Sequence, residues 1–164
     1  MSAIQTAPTT NAKMIIPFVN AVQAVFSTMV GVKATPGRPY IKSAATPNHD
    51  VSAIVGFSGE VTGSVVVSFA EAAAIKLVAS FAGSEMAVGS PDFADAIGEL
   101  GNMIAGNAKK DLGGNASIGV PTVIIGRSHV LARLSDVPCV VIPCTTPVGD
   151  FAVEVSIKQV APKS

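Results

Sequence analysis

The chain has 164 residues, of which 49% are hydrophobic and only 13% are charged, and its acidic and basic residues balance to a formal net charge of zero. That balance excludes the basic footprint of a nucleic-acid-binding protein. No apolar run approaches the roughly 20 residues of a membrane-spanning helix, so we expect no membrane span. Because so few charges are available to cover the surface, we expect some apolar surface to be buried in a homo-oligomer.

The polar residues 1–11 lack the basic and then apolar layout of a secretory signal. We expect them to form a disordered lead-in to a single domain over residues 12–160. Two cysteines, Cys139 and Cys144, lie in one apolar stretch. This placement predicts buried, reduced thiols and a cytoplasmic protein.

The first half of the chain predicts a helix at 12–30, a short strand near residue 40, a hairpin at 50–69 and a helix at 70–83. Gly31 is a natural stop for the first helix. Pro17 falls in the first turn of that helix if the helix proper starts near Ile16. The hairpin turns near residues 59–63, between two apolar strands.

The second half predicts a helix that is capped by Ser90, has Pro91 at its first position and runs to about Leu112. A strand in "PTVIIGRSH" and a hairpin at 138–159, which turns near residues 147–150, follow it. Helix, strand and hairpin thus occur twice, with one additional helix between the two sets. The pattern predicts an α/β fold of the α+β type, with a sheet of antiparallel hairpins, helices on one face and two related halves in one domain.

The stretch "DAIGELGNMIAGNAKKDL", at 95–112, predicts a helix and yet contains three glycines. Each glycine inside a helix costs roughly 1 kcal/mol relative to alanine. At about 100° per residue, an apolar stripe forms on one side of this helix and polar side chains share the other. The stripe contains Phe93, Ile97, Leu100 and Ile104, and the polar side contains Asp95, Gly98, Glu99, Asn102, Gly106 and Lys109, with Gly101 on one flank.

Two interpretations of the glycines are open from this pattern. Bare backbone at Gly98 and Gly106 would let another molecule approach the helix while Glu99 and Asn102 project beyond it. Alternatively, the glycines serve close packing of a neighbouring helix within the fold.

The spacing of Asp95, Glu99 and Asn102 resembles the signature helix of the CheC/CheX/FliY family of chemotaxis phosphatases. The family pattern is Asp or Ser, three residues, Glu, two residues, Asn. Four further segments are similar to the CheX branch in particular: "PFVNAVQAVFSTMVG", "GRPYIKS", "IVGFSGEVTGSVVVSF" and "VPCVVIPCTTPVGDF". The resemblance extends from about Met14 to Lys158.

This resemblance implies a CheC-like fold and a phosphatase that acts on the phosphoaspartate of a CheY-like chemotaxis response regulator. It implies that Asn102 orients the attacking water and that Glu99 engages the active-site lysine of the regulator. Asp95 matches the first position of the pattern, with a role in docking or local hydrogen bonding. The resemblance also implies that the regulator supplies Mg²⁺, so we expect the chain to need no cofactor and no metal of its own.

The resemblance also bears on the glycines and on the number of sites. It implies that Gly98, Gly101 and Gly106 let the helix lie close against the regulator. Members of the CheC branch carry two signature motifs, whereas no glutamate precedes Glu60 here. One site per chain is therefore expected, as in the CheX branch, which is dimeric.

Two other classes of function remain as alternatives. One is a non-catalytic, CheX-like module that binds a response regulator or a component of the flagellar switch. The other is a small-ligand-binding domain, which only the apolar composition favours. His49 and His129 lack a Cys, Ser or carboxylate partner at a telling distance in sequence, so both are interpreted as loop or surface histidines.

Overall fold

The computed structural model describes residues 12–43, 49–113, 115–131 and 137–160. The predicted lead-in at 1–11 lies outside the described residues. The helices of the described residues are α1 Ala12–Val25 with a π-helical extension Phe26–Val30, α2 Glu71–Ala82 and α3 Pro91–Lys109. The strands are β1 Thr35–Pro36, β2 Tyr40–Ile41, β3 Val51–Gly59, β4 Val61–Phe69, β5 Ala116–Ile118, β6 Thr122–Ile125, β7 Val140–Thr146 and β8 Gly149–Gln159.

These strands form one antiparallel sheet in the order β1-β7-β8-β4-β3-β5, in which β2 also pairs with β7 and β6 also pairs with β3. The two long hairpins lie at the centre and meet at β4 and β8. The short strands of each half pair with the hairpin of the other half. This exchange joins the two halves into one sheet and confirms the predicted mixed fold of hairpins and helices.

The two hairpins confirm the turns predicted from the sequence. Phe57 is the last residue of β3 to pair with β4, opposite Gly63, and Thr146 pairs with Gly149 at the tip of the second hairpin. Gly63 has φ +128°, and an added β-carbon would overlap the carbonyl oxygen of Ser156. The close approach of β8 to β4 therefore requires glycine at this position.

Aromatic contacts connect the first helix to the sheet and mark the core. The Phe18 ring of α1 meets the Phe57 ring of β3 edge to face, with centroids 6.0 Å apart. In the π-helical extension, the Phe26 ring stacks on Phe151 of β8 at 4.8 Å, and Phe151 also stacks on Phe69. These contacts hold the helical layer on one face of the sheet.

The first helix begins earlier than the position of Pro17 suggested. Helix α1 starts at Ala12, so Pro17 lies inside it and not in its first turn. The missing N–H of Pro17 leaves the carbonyl of Lys13 without its helical partner. Lys13 is exposed, so water can satisfy that carbonyl.

The end of the first helix widens into a π-helical turn. The Gly31 N–H donates to the Phe26 carbonyl at 2.8 Å, and the Thr28 hydroxyl donates to the Ala24 carbonyl at 2.7 Å. A side-chain hydroxyl bound to a backbone carbonyl competes with the regular helical hydrogen bonds. Gly31 then closes the turn with φ +78°, which confirms its predicted role as the stop residue.

The segment Ala12–Val30 has the length and hydropathy of a membrane span, in contrast to the expectation that no run approaches this length. Half of the span is buried within the structure, where Phe18, Val22 and Val25 are at most 2% exposed. Burial of this kind is typical of a core helix.

The face of the sheet opposite the helices is covered along its centre. Ser52, Ser68, Glu154 and Ser156 point to this face and are buried. The Glu154 carboxylate accepts hydrogen bonds from Lys42 Nζ at 3.0 and 3.1 Å, an ion pair of the kind that a buried carboxylate requires. Lys42 and Pro138, whose carbonyl accepts the Ser156 hydroxyl at 3.2 Å, therefore lie over this face, and the helical face carries the candidate site.

Both cysteines are buried, as predicted: Cys139 is 7% exposed and Cys144 is 1% exposed. Burial raises the pKa of the Cys144 thiol to about 12. This thiol is therefore in its unreactive protonated form at neutral pH.

Candidate functional site

The helix with the predicted site begins at the cap that the sequence indicated. The Ser90 hydroxyl accepts the Phe93 N–H at 3.2 Å and donates to the Ala87 carbonyl at 2.7 Å. Pro91 occupies the first turn, and Asp92 places a carboxylate at the positive end of the helix dipole. The last helical residue is Lys109, so the helix ends three residues before the predicted Leu112.

The predicted apolar stripe of α3 is confirmed. Phe93, Ile97, Leu100 and Ile104 each have no exposed surface. Side chains at this spacing share one side of the helix and face the sheet. The opposite side, with Asp95 and the signature residues, is therefore directed away from the core.

Gly101 lies against the sheet and not against solvent. A β-carbon on this residue would stand 2.8 Å from the β-carbon of Ala53 and 3.6 Å from Val55 Cγ2, both on β3. Glycine thus lets α3 settle closer to β3 than alanine would allow. The prediction that Gly101 contacts a partner is wrong because this position faces the interior of the protein.

Gly98 is also buried within the fold, so its predicted place on the partner-facing surface is wrong as well. A β-carbon on Gly98 would touch Pro121 Cγ and Val123 Cγ2, both at 3.4 Å. Gly106 is half-buried, and a β-carbon there would meet Ile118 Cδ1 at the ordinary contact distance of 3.8 Å. For Gly98 and Gly101, close packing within the fold is the correct interpretation, and the neighbour is the sheet rather than a helix.

The open side of α3 carries the three signature residues. Asp95 and Glu99 are exposed, and Asn102 is half-buried. Residues three and four apart are neighbours on a helix surface, so Glu99 and Asn102 occupy adjacent positions on this side of α3. The described part of the chain provides no ion-pair partner for Glu99.

The Asn102 amide is in an unusual state. Its Oδ1 atom is enclosed and has no hydrogen-bond partner among the described residues. A buried polar atom without a partner costs about 1–3 kcal/mol. Such an atom in a native protein calls for an explanation, and function is one of the ordinary explanations.

The connection between β5 and β6 runs beside Asn102. It approaches the helix at Gly106, next to Ile118, and again at Gly98, next to Pro121. Asn102 lies midway between these two glycines on the same side of the helix. The two residues of the connection between Ile118 and Pro121 therefore pass alongside the amide.

A surface groove of about 620 Å³ continues this face toward the end of α3. Gly106, Lys109 and Lys110 line one wall, and residues 115–118 line the other. The open side of α3 thus changes from acidic at Asp95 and Glu99 to basic at its C-terminal end. A partner that covers the whole face needs the complementary order of charges.

The first helix has no equivalent carboxylate. When the sequences of the two helices are aligned so that Phe18 matches Ile97, every buried position of α1 matches a buried position of α3, except Ile15. In this alignment the exposed Asn20 and Gln23 of α1 correspond to Glu99 and Asn102. The helix α1 therefore offers a matched position at which control substitutions can be made.

The sequence did not reveal the partner of His129. His129 Nε2 lies 2.7 Å from the Ser52 hydroxyl, and its Nδ1 donates to the Gly126 carbonyl at 2.8 Å. His129 lies in the loop after β6, as interpreted from the sequence, and its serine partner is 77 residues away along the chain. Ser52 has no exposed surface and is also bonded to Ser68, so no substrate can reach this pair and its role is structural.

In the described residues, no group of three or more His, Cys, Asp or Glu side chains is arranged to hold a metal ion.

Residues 51–145 match the family model described as chemotaxis phosphatase CheX. Over 121 residues the chain is 30% identical to the CheY-P phosphatase CheX of Thermotoga maritima. That alignment covers 71% of this chain and 78% of the relative.

Solved structures agree with the sequence match. The chemotaxis protein CheX of Desulfovibrio desulfuricans superposes with a TM-score of 0.81 at 35% identity, over 90% of this chain and 99% of that one. The CheX–CheY–BeF3–Mg²⁺ complex of Borrelia burgdorferi superposes with a TM-score of 0.76 at 26% identity, over 89% of this chain and 98% of that one.

Proposed function

This chain belongs to the CheX family of chemotaxis phosphatases, and we propose that it removes the phosphoryl group from the aspartyl phosphate of a CheY-like response regulator. A relative named as a CheY-P phosphatase and a solved complex that contains CheX and CheY support this substrate. The observation that carries the proposal is an exposed Glu99 followed three residues later by an Asn102 amide with an unpartnered oxygen, on the side of α3 opposite its buried stripe.

The reaction requires a water molecule in line with the phosphorus atom. The water oxygen forms a new P–O bond, and the bond between phosphorus and the aspartate oxygen breaks. Inorganic phosphate leaves, the aspartate carboxylate stays on the regulator, and one proton of the water passes to a phosphate oxygen while the other remains on the transferred oxygen. Because this chemistry depends largely on positioning, one well-placed amide is a sufficient contribution from the phosphatase.

We assign the positioning of that water to Asn102. A side-chain amide oxygen accepts a hydrogen bond from the water and thereby fixes the direction of the attacking lone pair, without acting as a strong base. In the present conformation Oδ1 is enclosed. The amide must therefore turn as the regulator docks, so that its oxygen faces the water.

We assign docking to Glu99 and Asp95. Glu99 is exposed beside Asn102, so its carboxylate is available to a cationic side chain of the regulator, which the family resemblance implies is the active-site lysine. Asp95 lies one turn earlier on the same side and extends the acidic end of the surface. Gly106 lines the groove at the basic end and remains a proposed contact. We place Mg²⁺ on the regulator and no cofactor on this chain.

We also propose that the chain is a cytoplasmic homodimer. Its charged fraction is only 13%. Tyr40 and Ile41, on the short edge strand β2, are 55% and 63% exposed. Large apolar side chains at a sheet edge favour association with another chain. Sedimentation equilibrium measures the mass in solution, and a monomer at micromolar concentration would contradict this part of the proposal.

The decisive experiment follows the decay of phosphorylated receivers. Each CheY-like receiver of the source organism is charged with acetyl phosphate, and the loss of phosphate is timed with and without this chain. We expect accelerated decay of at least one receiver, abolished by Asn102→Ala and unaffected by the matched Gln23→Ala on α1. Binding to a receiver without acceleration would instead identify a non-catalytic module.

A further inference from the structure

One side chain beside the proposed site is unusually exposed. Val120, in the connection between β5 and β6, is 91% exposed, more than any other large hydrophobic side chain in the described ranges. A single exposed valine is ordinary on a protein surface. Its position relative to Asn102 is what makes Val120 informative.

The backbone on both sides of Val120 is fixed. On one side, the Gly119 N–H donates to the Gly56 carbonyl of β3 at 3.0 Å. On the other side, Pro121 packs against Gly98, where its Cγ lies 3.4 Å from the position that a β-carbon would take. Val120 is thus presented by a held backbone, and little conformational freedom is lost when a partner covers its small side chain.

This connection runs alongside Asn102, as the contacts of its two ends with α3 show. The exposed valine therefore stands at the rim of the surface that a partner must cover in order to reach the amide. Apolar side chains at such positions gain free energy when they are buried, and this gain is independent of the reaction itself.

We propose that Val120 is a docking contact for the CheY-like receiver and helps to determine which receiver is accepted. This inference rests on the proposed function, because its occupant is the same protein that brings the aspartyl phosphate to Asn102. Val120 touches the partner and not the reacting atoms. Its loss should therefore weaken binding and leave turnover at saturation unchanged.

The experiment compares Val120→Asp with Val130→Asp. Val130 is 51% exposed and follows His129, which lies over the opposite face of the sheet through its bond to Ser52. Binding is measured with the receiver loaded with BeF3 and Mg²⁺, and KM and kcat are measured with the phosphorylated receiver. Circular dichroism confirms that both variants are folded.

For Val120→Asp we expect the dissociation constant and KM to rise by about tenfold with kcat unchanged, and for Val130→Asp we expect the wild-type values. A KM and a dissociation constant within about twofold of wild type for Val120→Asp would overturn the docking role. The wild-type chain could bind a receiver without accelerating the decay of its phosphate. If Val120→Asp then weakens that binding, the docking role is supported and the phosphatase proposal fails. Absence of binding by the wild-type chain to every receiver would overturn both.

Discussion

A β-carbon on Gly101 would stand 2.8 Å from the β-carbon of Ala53. Favourable contacts between carbon atoms occur at about 3.5–4.0 Å, so alanine does not fit at residue 101 without a shift of the helix. The helix that carries Glu99 and Asn102 therefore keeps its depth on the sheet because residue 101 has no side chain. Gly101 supports the site from beneath and does not contact the partner.

Substitutions of the glycines should separate these roles. We expect Gly101→Ala to lower the free energy of unfolding by about 1–2 kcal/mol, because overpacking outweighs the gain in helix propensity. Gly106→Ala, in the same helix, makes only an ordinary contact at 3.8 Å and should raise that free energy by up to about 1 kcal/mol. Urea denaturation measures both values, and equal shifts in the same direction would contradict this account.

Helical periodicity was sufficient to predict the buried stripe of α3 and the open side opposite. The four stripe residues recur every three or four positions, as in an amphipathic helix, and all of them are buried. Periodicity did not identify the neighbours of Gly98 and Gly101, because the angular position of a residue on a helix does not show which strand or loop packs against it. What packs there, Pro121 or Ala53, depends on how β3 and β6 are placed.

The features of the candidate site also divide into those that the helix pattern predicted and those that it did not. Glu99 and Asn102 were predicted to share a side from their spacing alone. The enclosure of the Asn102 oxygen and the bond between Ser52 and His129 depend on contacts between residues far apart in sequence. The second of these follows from the pairing of β3 with β6, which places Ser52 opposite Ile124 near the loop of His129. A helix pattern contains no information on that pairing.

Asp50 should contribute stability that depends on pH. Its carboxylate accepts the Glu71 N–H at the start of α2 at 2.9 Å and the Ser128 N–H at 3.2 Å. These bonds, the one from Glu71 above all, lower the pKa of the Asp50 carboxyl below 3.8. A lowered pKa in the folded state means that the contribution is present above the unfolded pKa and is lost as the pH falls through the folded pKa.

We therefore expect Asp50→Asn to lower the free energy of unfolding by about 1 kcal/mol at pH 7 and by less at pH 3. Urea denaturation at the two pH values measures the difference. The control is Asp150→Asn, since Asp150 is exposed at the start of β8. If Asp50→Asn lowers the free energy of unfolding by the same amount at both pH values, the charged form of the carboxylate has no role in stability.

Glu99 should act in docking through its charge. Glu99→Gln keeps the size of the side chain and removes the charge, so we expect KM for the phosphorylated receiver to rise about fivefold, as for the loss of one exposed ion pair. The salt dependence of KM should also become weaker. Glu85→Gln, at an exposed glutamate between α2 and α3, is the control. An unchanged KM and salt dependence in Glu99→Gln would exclude an electrostatic role.

The Asn102 side chain should be required for activity and at the same time lower the stability of the free protein. Its enclosed, unpartnered oxygen is unfavourable in the free protein, so Asn102→Ala removes that penalty and also gains helix propensity. We expect the free energy of unfolding to rise by about 1 kcal/mol or more while accelerated decay of the receiver phosphate is lost. Asn107→Ala, at a half-buried asparagine of the same helix, gains only the propensity and should keep activity. If Asn102→Ala instead destabilises the protein, the amide is a structural group, and the assignment of its oxygen to the attacking water loses its support.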